Sequence, residues 1–347
     1  MFTLAELTAP IIAAPMAGGA STPELVAAVN AAGGLGYLAA GYRTAAAMTE
    51  QIAAARKLTD RPFGVNLFVP GSTDPAALAE VAGYREALRP EAEQLGVALP
   101  EQIAADDEDW DAKIAALLMD PVPVVSYSFG LPTAAEAAAL RRAGTTQVAT
   151  VTSAAEARAA ARLGMDALCV QGPEAGGHRG THSAAAEPGT EPLLALLGSV
   201  RAAVDLPLIG AGGLGDGARI AAALAAGADA VQLGTAYLLA EEAGTSAPHR
   251  AALTDPAFTE TALTRAFTGR VARGLRNRFI DRHADRAPVA YPEVHHLTAP
   301  LRAAAARAGD LQSMHLWAGT SYRAARAAAA GEITERLSRE ARSAGAS

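Results

Sequence analysis

The sequence predicts an α/β fold: a (β/α)8 TIM barrel with a smaller, mainly helical cap or substrate domain built from insertions. Three observations predict it. Short apolar runs alternate with alanine-rich helical stretches, at a spacing that requires parallel crossovers. The runs number eight and are continuously apolar rather than alternating, as strands buried on both faces are. Glycine-dense loops follow the last two runs, where barrels of this kind hold phosphate groups.

Composition permits such a fold and narrows the function. Of 347 residues, 50% are hydrophobic, enough for a large core and too many for global disorder. The net charge is −7 and no dense Lys/Arg cluster occurs, which argues against a nucleic-acid surface. Nearly all the positive charge is arginine, with lysine only at Lys57 and Lys113. The single cysteine, Cys169, excludes an internal disulfide and a cysteine metal cluster, and its apolar neighbours predict a buried structural thiol. The N-terminus has no basic region followed by an apolar stretch, and no window nears 18 apolar residues without glycine or charge. The expectation is a soluble, cytoplasmic protein, monomer or homodimer, with no membrane segment.

Taken in order, the first strand is expected at 11–14 and ends in Pro15-Met16-Ala17-Gly18-Gly19. Ser21, Thr22 and Pro23 then cap a helix that Gly33-Gly34 stops. Strands at 35–40 and 63–68 follow, with a helix over 44–58 between them. From 69 to about 119 the rhythm breaks into a polar, proline-punctuated helical segment, expected as an insertion over one barrel loop. Alternation resumes with strands at 123–129, 147–151, 167–171, 206–210 and 230–234, separated by helices near 133–142, 154–163, 191–203 and 216–226. Beyond 239 the strand signal ends. Helices are expected at 256–266, 297–308 and 331–343, the last returning to the barrel wall. The barrel is therefore assigned to 1–69, 119–240 and about 319–347, and the cap to 70–118 and 241–318.

The loop after the sixth strand, from Gln171 through Gly172, Gly176, Gly177, His178 and Gly180 to His182, combines glycines with two imidazoles. Its glycines permit positive φ and close approach of backbone to a ligand. His178 is the side chain there that can titrate near neutral pH. His178 and His182 stand four apart, but Gly180 between them and the lack of a suitable carboxylate argue against a metal. No metal site is expected. Ala211, Gly212 and Gly213 after the seventh strand, and Gln232, Leu233, Gly234 and Thr235 at the eighth, form a candidate phosphate cradle. Pro15, Met16 and Ala17 could let a flat ring lie against backbone. Asn66 and Gln171, amides in apolar strands, suit the N–H and C=O edges of a heterocycle. His295-His296 and the basic stretch 265–282 read as surface.

These residues carry a resemblance. Pro15-Met16-Ala17-Gly18-Gly19, the segment from Asn66 to Phe68, the loop from Gln171 through Glu174, Gly176, Gly177 and His178 to Gly180, and Gln232-Leu233-Gly234-Thr235-Ala236 resemble the motif regions of nitronate monooxygenases, formerly called 2-nitropropane dioxygenases. FMN-dependent enoyl-ACP reductases carry a close variant of the histidine loop. The resemblance implies FMN as cofactor, held by Pro15, Met16, Ala17, Asn66, Gln171, Gly176, Gly177, Ala211, Gly212, Gly213, Gln232, Leu233, Gly234 and Thr235. It implies His178 as the catalytic histidine, and oxidation of alkyl nitronates with O2 to a carbonyl compound and nitrite. Nitroalkanes are possible further substrates, and NAD(P)H is not needed. One departure is visible: Ser128 stands where the most similar subgroup has a histidine before Phe-Gly-Leu-Pro. Ser128 and, more loosely, Tyr322 are the expected substrate-side residues. An FMN- and NAD(P)H-dependent enoyl or quinone reductase is the second reading. A non-enzymatic flavin- or phosphate-binding protein is the third.

Overall fold

Eight parallel strands close into a barrel in this structure, a computed structural model that describes residues 1–71, 73–103 and 106–345. They are β1 (Ile11–Ala13), β2 (Leu35–Ala39), β3 (Gly64–Phe68), β4 (Val124–Ser128), β5 (Thr146–Val151), β6 (Ala167–Gln171), and, after the two-residue β7 (Gly177–His178) has left the barrel, β8 (Leu208–Ala211) and β9 (Ala230–Leu233). Closure is by β9 on β1, with Ile12 opposite Gln232. All eight expected strands are present, and together they form the expected TIM barrel.

Alternation along the strands explains their composition. Leu35 and Tyr37 join Ile12, Val124, Val148, Cys169 and Ile209 in one buried cluster. Gly36, between them, meets helix α1 (Pro23–Ala31), where an added Cβ would stand 2.5 Å from the Val26 Cα. The Tyr37 ring fits only because position 64 is glycine: a Cβ there would fall 2.1 Å from the ring. Thr22 caps α1 by accepting from the Leu25 amide, with Pro23 in the first turn, as expected.

Helix α2 (Ala45–Leu58) follows β2, and two cap helices follow β3: α3 (Pro75–Ala87) and α4 (Arg89–Leu95). The next helix, α5 (Trp110–Met119), corrects the expected extent of the insertion. Trp110, Ile114 and Leu117 are buried in the same cluster as barrel residues Val65, Val125 and Tyr127, so α5 packs as a barrel-wall helix rather than in the cap. Its polar spacing had merged it with the insertion. The wall continues with α6 (Ala134–Arg142), α7 (Ala154–Leu163), α8 (Leu193–Arg201) and α9 (Gly217–Ala225). After the cap segment, α13 (Ala330–Gly345) returns to pack on α9 and α1.

The cap is not only helical. Helix α10 (Ala247–Thr254) leads to β10 (Thr261–Thr264) and β11 (Ala272–Leu275), where a helix over 256–266 was expected. These strands pair antiparallel with each other, and β11 pairs with β7, placing Ala272 opposite His178. Helices α11 (Arg278–His283) and α12 (Glu293–Ala308) complete the cap. Its core sets Tyr84, Leu88 and Ala92 against Phe267, Phe279, Val294, Leu297 and Leu301, so the two insertions form one unit.

Candidate active site

A cavity of about 630 Å³ opens between the C-terminal ends of the barrel strands and the cap. That is where ligand sites of α/β barrels lie, and the volume is in the range of small-molecule pockets. Its barrel side is mostly loop backbone. Pro15, Met16 and Ala17 come from the β1 loop, Asn66 and Ser128 from β3 and β4, and Gln171, Gly176 and Gly177 from β6 and its loop. Ala211, Gly212 and Gly213 follow from β8, and Gln232, Leu233, Gly234 and Thr235 from β9. The structure thus brings all the expected cofactor residues to one cavity.

Glycine is required at several of these points. Gly212 and Gly213 have φ of 120° and 70°. A Cβ at Gly213 would stand 2.9 Å from the Glu174 Cβ, and one at Gly176 would stand 2.5 Å from the Gly319 amide nitrogen. Three loops therefore meet with bare backbone facing the cavity, just before α9, whose first turn Asp216 caps through the Arg219 amide. Ser321 donates to the Gly213 carbonyl at 2.5 Å and lines the same corner. Glycine backbone near a helix N-terminus has the donors that suit a phosphate.

His178 faces this cradle from the loop that β7 makes part of the cap sheet. Gln171 fixes it from the barrel side: its Nε2 donates to the His178 carbonyl at 2.9 Å, and its Oε1 accepts from the Gly180 amide at 2.8 Å. Both ends of this amide hold the histidine loop, a task beyond the expected ring-edge contact. Arg179, buried beneath, donates to the carbonyls of Gln171 (2.9 Å) and Gly172. From the cap side the Arg179 amide donates to the Val271 carbonyl at 2.8 Å. The His178 Nε2 lies 2.9 Å from the Thr268 hydroxyl, which also donates to the Arg270 carbonyl at 3.2 Å. Phe129, Tyr291 and Trp317 surround the ring at 5.5–5.8 Å between centroids.

The expectation that His178 titrates near neutrality is overturned. Burial, then the nearby Arg270 and Arg302 guanidinium groups, lower its pKa to about 3. It is neutral at physiological pH, with a free lone pair but only weak basicity. Other expectations also change. His295, read as surface, lines the cavity, stacks face to face on Tyr42 at 4.2 Å, and is held neutral by burial and by Arg302. His296 pairs with Asp106 at 2.8 Å. The basic stretch divides: Arg276, Arg278 and Arg282 form ion pairs, while Arg270 is buried over the Phe129 ring at 4.1 Å. Tyr322 does not reach the cavity; it is buried and its hydroxyl donates to the Phe258 carbonyl at 2.7 Å. Ser128 does line the cavity, and its hydroxyl accepts from Asn66 at 3.3 Å. His182 sits apart, its Nε2 3.0 Å from the Thr150 carbonyl.

Sequence reasoning missed Tyr42, His249, His315, Trp317 and Arg302, all of which line the cavity. For α12 a signal existed: His295, Ala299, Arg302, Ala303 and Ala306 recur at one-face helical spacing.

A closed parallel barrel with a glycine-lined cavity at its C-terminal mouth and a neutral histidine opposite has the architecture of a barrel enzyme. The nitronate monooxygenase family model matches residues 2–340. A probable nitronate monooxygenase of Staphylococcus aureus strain Newman is 36% identical over 323 residues, 91% of this chain and 89% of that protein. A crystal structure described as nitroalkane oxidase from Streptomyces ansochromogenes is 51% identical, covers 98% of each chain and superposes with a TM-score of 0.93. FabK from Thermotoga maritima is 27% identical over 98% of this chain and 94% of its own, with a TM-score of 0.75. The chain belongs to the nitronate monooxygenase family and is an oxidoreductase. Among the described residues no helix is long and apolar enough to cross a membrane.

Proposed function

We propose that this enzyme binds FMN in the glycine cradle and uses it to oxidise alkyl nitronates, and nitroalkanes more slowly, with O2 to a carbonyl compound and nitrite. The observation that carries this reading is the neutral His178, clamped between β6 and β11 against the cavity that the glycine loops floor. Gly176, Gly212, Gly213, Gly234 and Thr235 would hold the phosphate, Pro15, Met16 and Ala17 would back the ring, and Asn66 and Gln232 would meet its polar edges. FMN supplies the electron acceptor and the site of O2 reduction.

The protein's own residues supply the rest. With Thr268 donating to the Arg270 carbonyl, the His178 Nε2–H points at the Thr268 oxygen and Nδ1 is left as acceptor. From that tautomer His178 can take the α-proton of a neutral nitroalkane. A preformed nitronate needs no such step, and His178 then only orients it. Trp317, Phe129 and Tyr291 exclude water around the imidazole.

Purified protein mixed anaerobically with a nitronate, and in parallel with NADH, tests the reading. The expected result is a flavin spectrum that changes with nitronate and ignores NADH, followed by nitrite release in air. Bleaching by NADH alone would replace it with the reductase reading. A colourless protein that FMN does not reconstitute would remove both.

A further inference from the structure

Arg302 is the one cationic side chain on the cavity-facing side of α12. It is 9% exposed. Its Nε donates to the Thr298 hydroxyl at 3.1 Å, and its Nη2 donates to the His295 carbonyl at 2.7 Å and toward His295 Nδ1 at 3.2 Å. Every one of those acceptors is neutral. Among the described residues Arg302 makes no ion pair and its Nη1 has no protein acceptor. The acids that reach α12 are engaged elsewhere, Asp106 with His296 at 2.8 Å and Glu293 with the Thr73 hydroxyl at 2.7 Å. Burying a guanidinium without a counter-ion is costly, and proteins retain such a group where a ligand brings the opposite charge.

The surroundings fit that role. His178, His295 and His315 all have lowered pKa values, with burial as the largest cause and Arg302 contributing, so no second cation competes at neutral pH. The His315 Nδ1 is buried without a partner. Arg302 itself is lowered only to about 10, by burial, and stays charged.

We propose that Arg302 is the anion-recognising residue of the substrate cavity, taking a planar two-oxygen anion, the shape that a nitronate and a carboxylate share, on the free side of its guanidinium. The assignment rests on the reading of this cavity as the substrate site. It makes the cavity selective by charge: a nitronate is held more tightly than the neutral nitroalkane with the same carbon chain. Arg270, over Phe129 and donating to the Thr181 carbonyl, is by contrast committed to the loop beside His178.

The test is calorimetric titration of the FMN-saturated protein at neutral pH with propionate and with its uncharged isostere propionamide, with propyl-1-nitronate compared through its KM because the flavin consumes it. In the wild type propionate binds at least about tenfold more tightly than the amide, and in Arg302→Gln that preference falls to near unity while Arg302→Lys keeps part of it. In turnover, Arg302→Gln raises KM for the nitronate with a smaller change in kcat. Equal binding of propionate and propionamide by the wild type overturns the proposal without recourse to any variant, and so does an Arg302→Gln protein that keeps the full preference. If propionate alone shows the Arg302-dependent preference, the anion bound is a carboxylate. If nitronate shows it too, the shared two-oxygen geometry is what Arg302 reads. An Arg302-dependent anion preference in a protein that never oxidises nitronates would leave the subsite standing and remove the proposed reaction.

Discussion

The cavity has two walls built on different principles. The barrel wall is rich in bare backbone: Gly176, Gly212, Gly213 and Gly319 meet from three loops, and there a side chain would be an obstruction. The cap wall is mostly side chain: His178, His295, Arg302, His315 and Trp317 carry its chemistry, on segments far apart in sequence. One wall suits a ligand with a fixed shape and a phosphate, and the other suits a small charged substrate. If the proposed reading holds, cofactor and substrate recognition are separable, and substitutions in one wall should spare the other.

The largest expected effect breaks the barrel wall. Gly213→Val must place a branched residue at a φ of 70° with its Cβ 2.9 Å from Glu174. FMN affinity, followed by flavin fluorescence, should fall at least about a hundredfold, a loss of ~2.7 kcal/mol. If Gly213→Val keeps its flavin, the cradle is misplaced.

Next comes the joint between the walls. Gln171→Leu removes both hydrogen bonds that tie the barrel to the histidine loop. Loss of two such bonds, each worth about 1 kcal/mol, should cut kcat about tenfold or more while flavin binding changes less. Equal losses of flavin and turnover would show that Gln171 serves the cofactor instead.

The pH profile sharpens the picture of the cap wall. With its pKa lowered to about 3, His178 stays neutral from pH 5 upward, so kcat/KM should show no histidine inflection near 6.5. The sign for stability is opposite to that of a salt-bridged histidine. Between about 3 and 6.5 the unfolded chain takes up a proton at this position and the folded chain does not, so stability falls as pH drops through that window. His249, lowered to about 4 by burial, adds to the same trend. An inflection near 6.5 that vanishes in His178→Asn would contradict the neutral-base account.

The smallest effect is expected at Tyr322. Its hydroxyl bonds the Phe258 carbonyl away from the cavity, so Tyr322→Phe should lower stability by about 1 kcal/mol and leave KM unchanged. A changed KM would bring Tyr322 back to the substrate.

The same contrast explains what could be read from sequence. The barrel strands announce themselves because burial on both faces demands unbroken apolar runs, and the glycine loops because positive φ and close approach demand glycine. The cap sheet did not, because β10 and β11 are four residues each and the apolar spacing around Phe258, Ala262 and Ala266 imitates a helix. Their strand form comes from pairing with each other and, for β11, with β7, tertiary contacts that override local preference. His295 looked like surface because a histidine pair beside a helix start is ordinary there, and Arg302 was not singled out. Only the docking of α12 over the barrel mouth turns that face inward.

The most direct measurement is His178→Asn, with flavin affinity and turnover of a neutral nitroalkane determined on the same preparation. Separable walls predict FMN bound as tightly as in the wild type, with turnover of a neutral nitroalkane reduced about a hundredfold or more. Wild-type turnover in that variant, or loss of its flavin, would contradict the account.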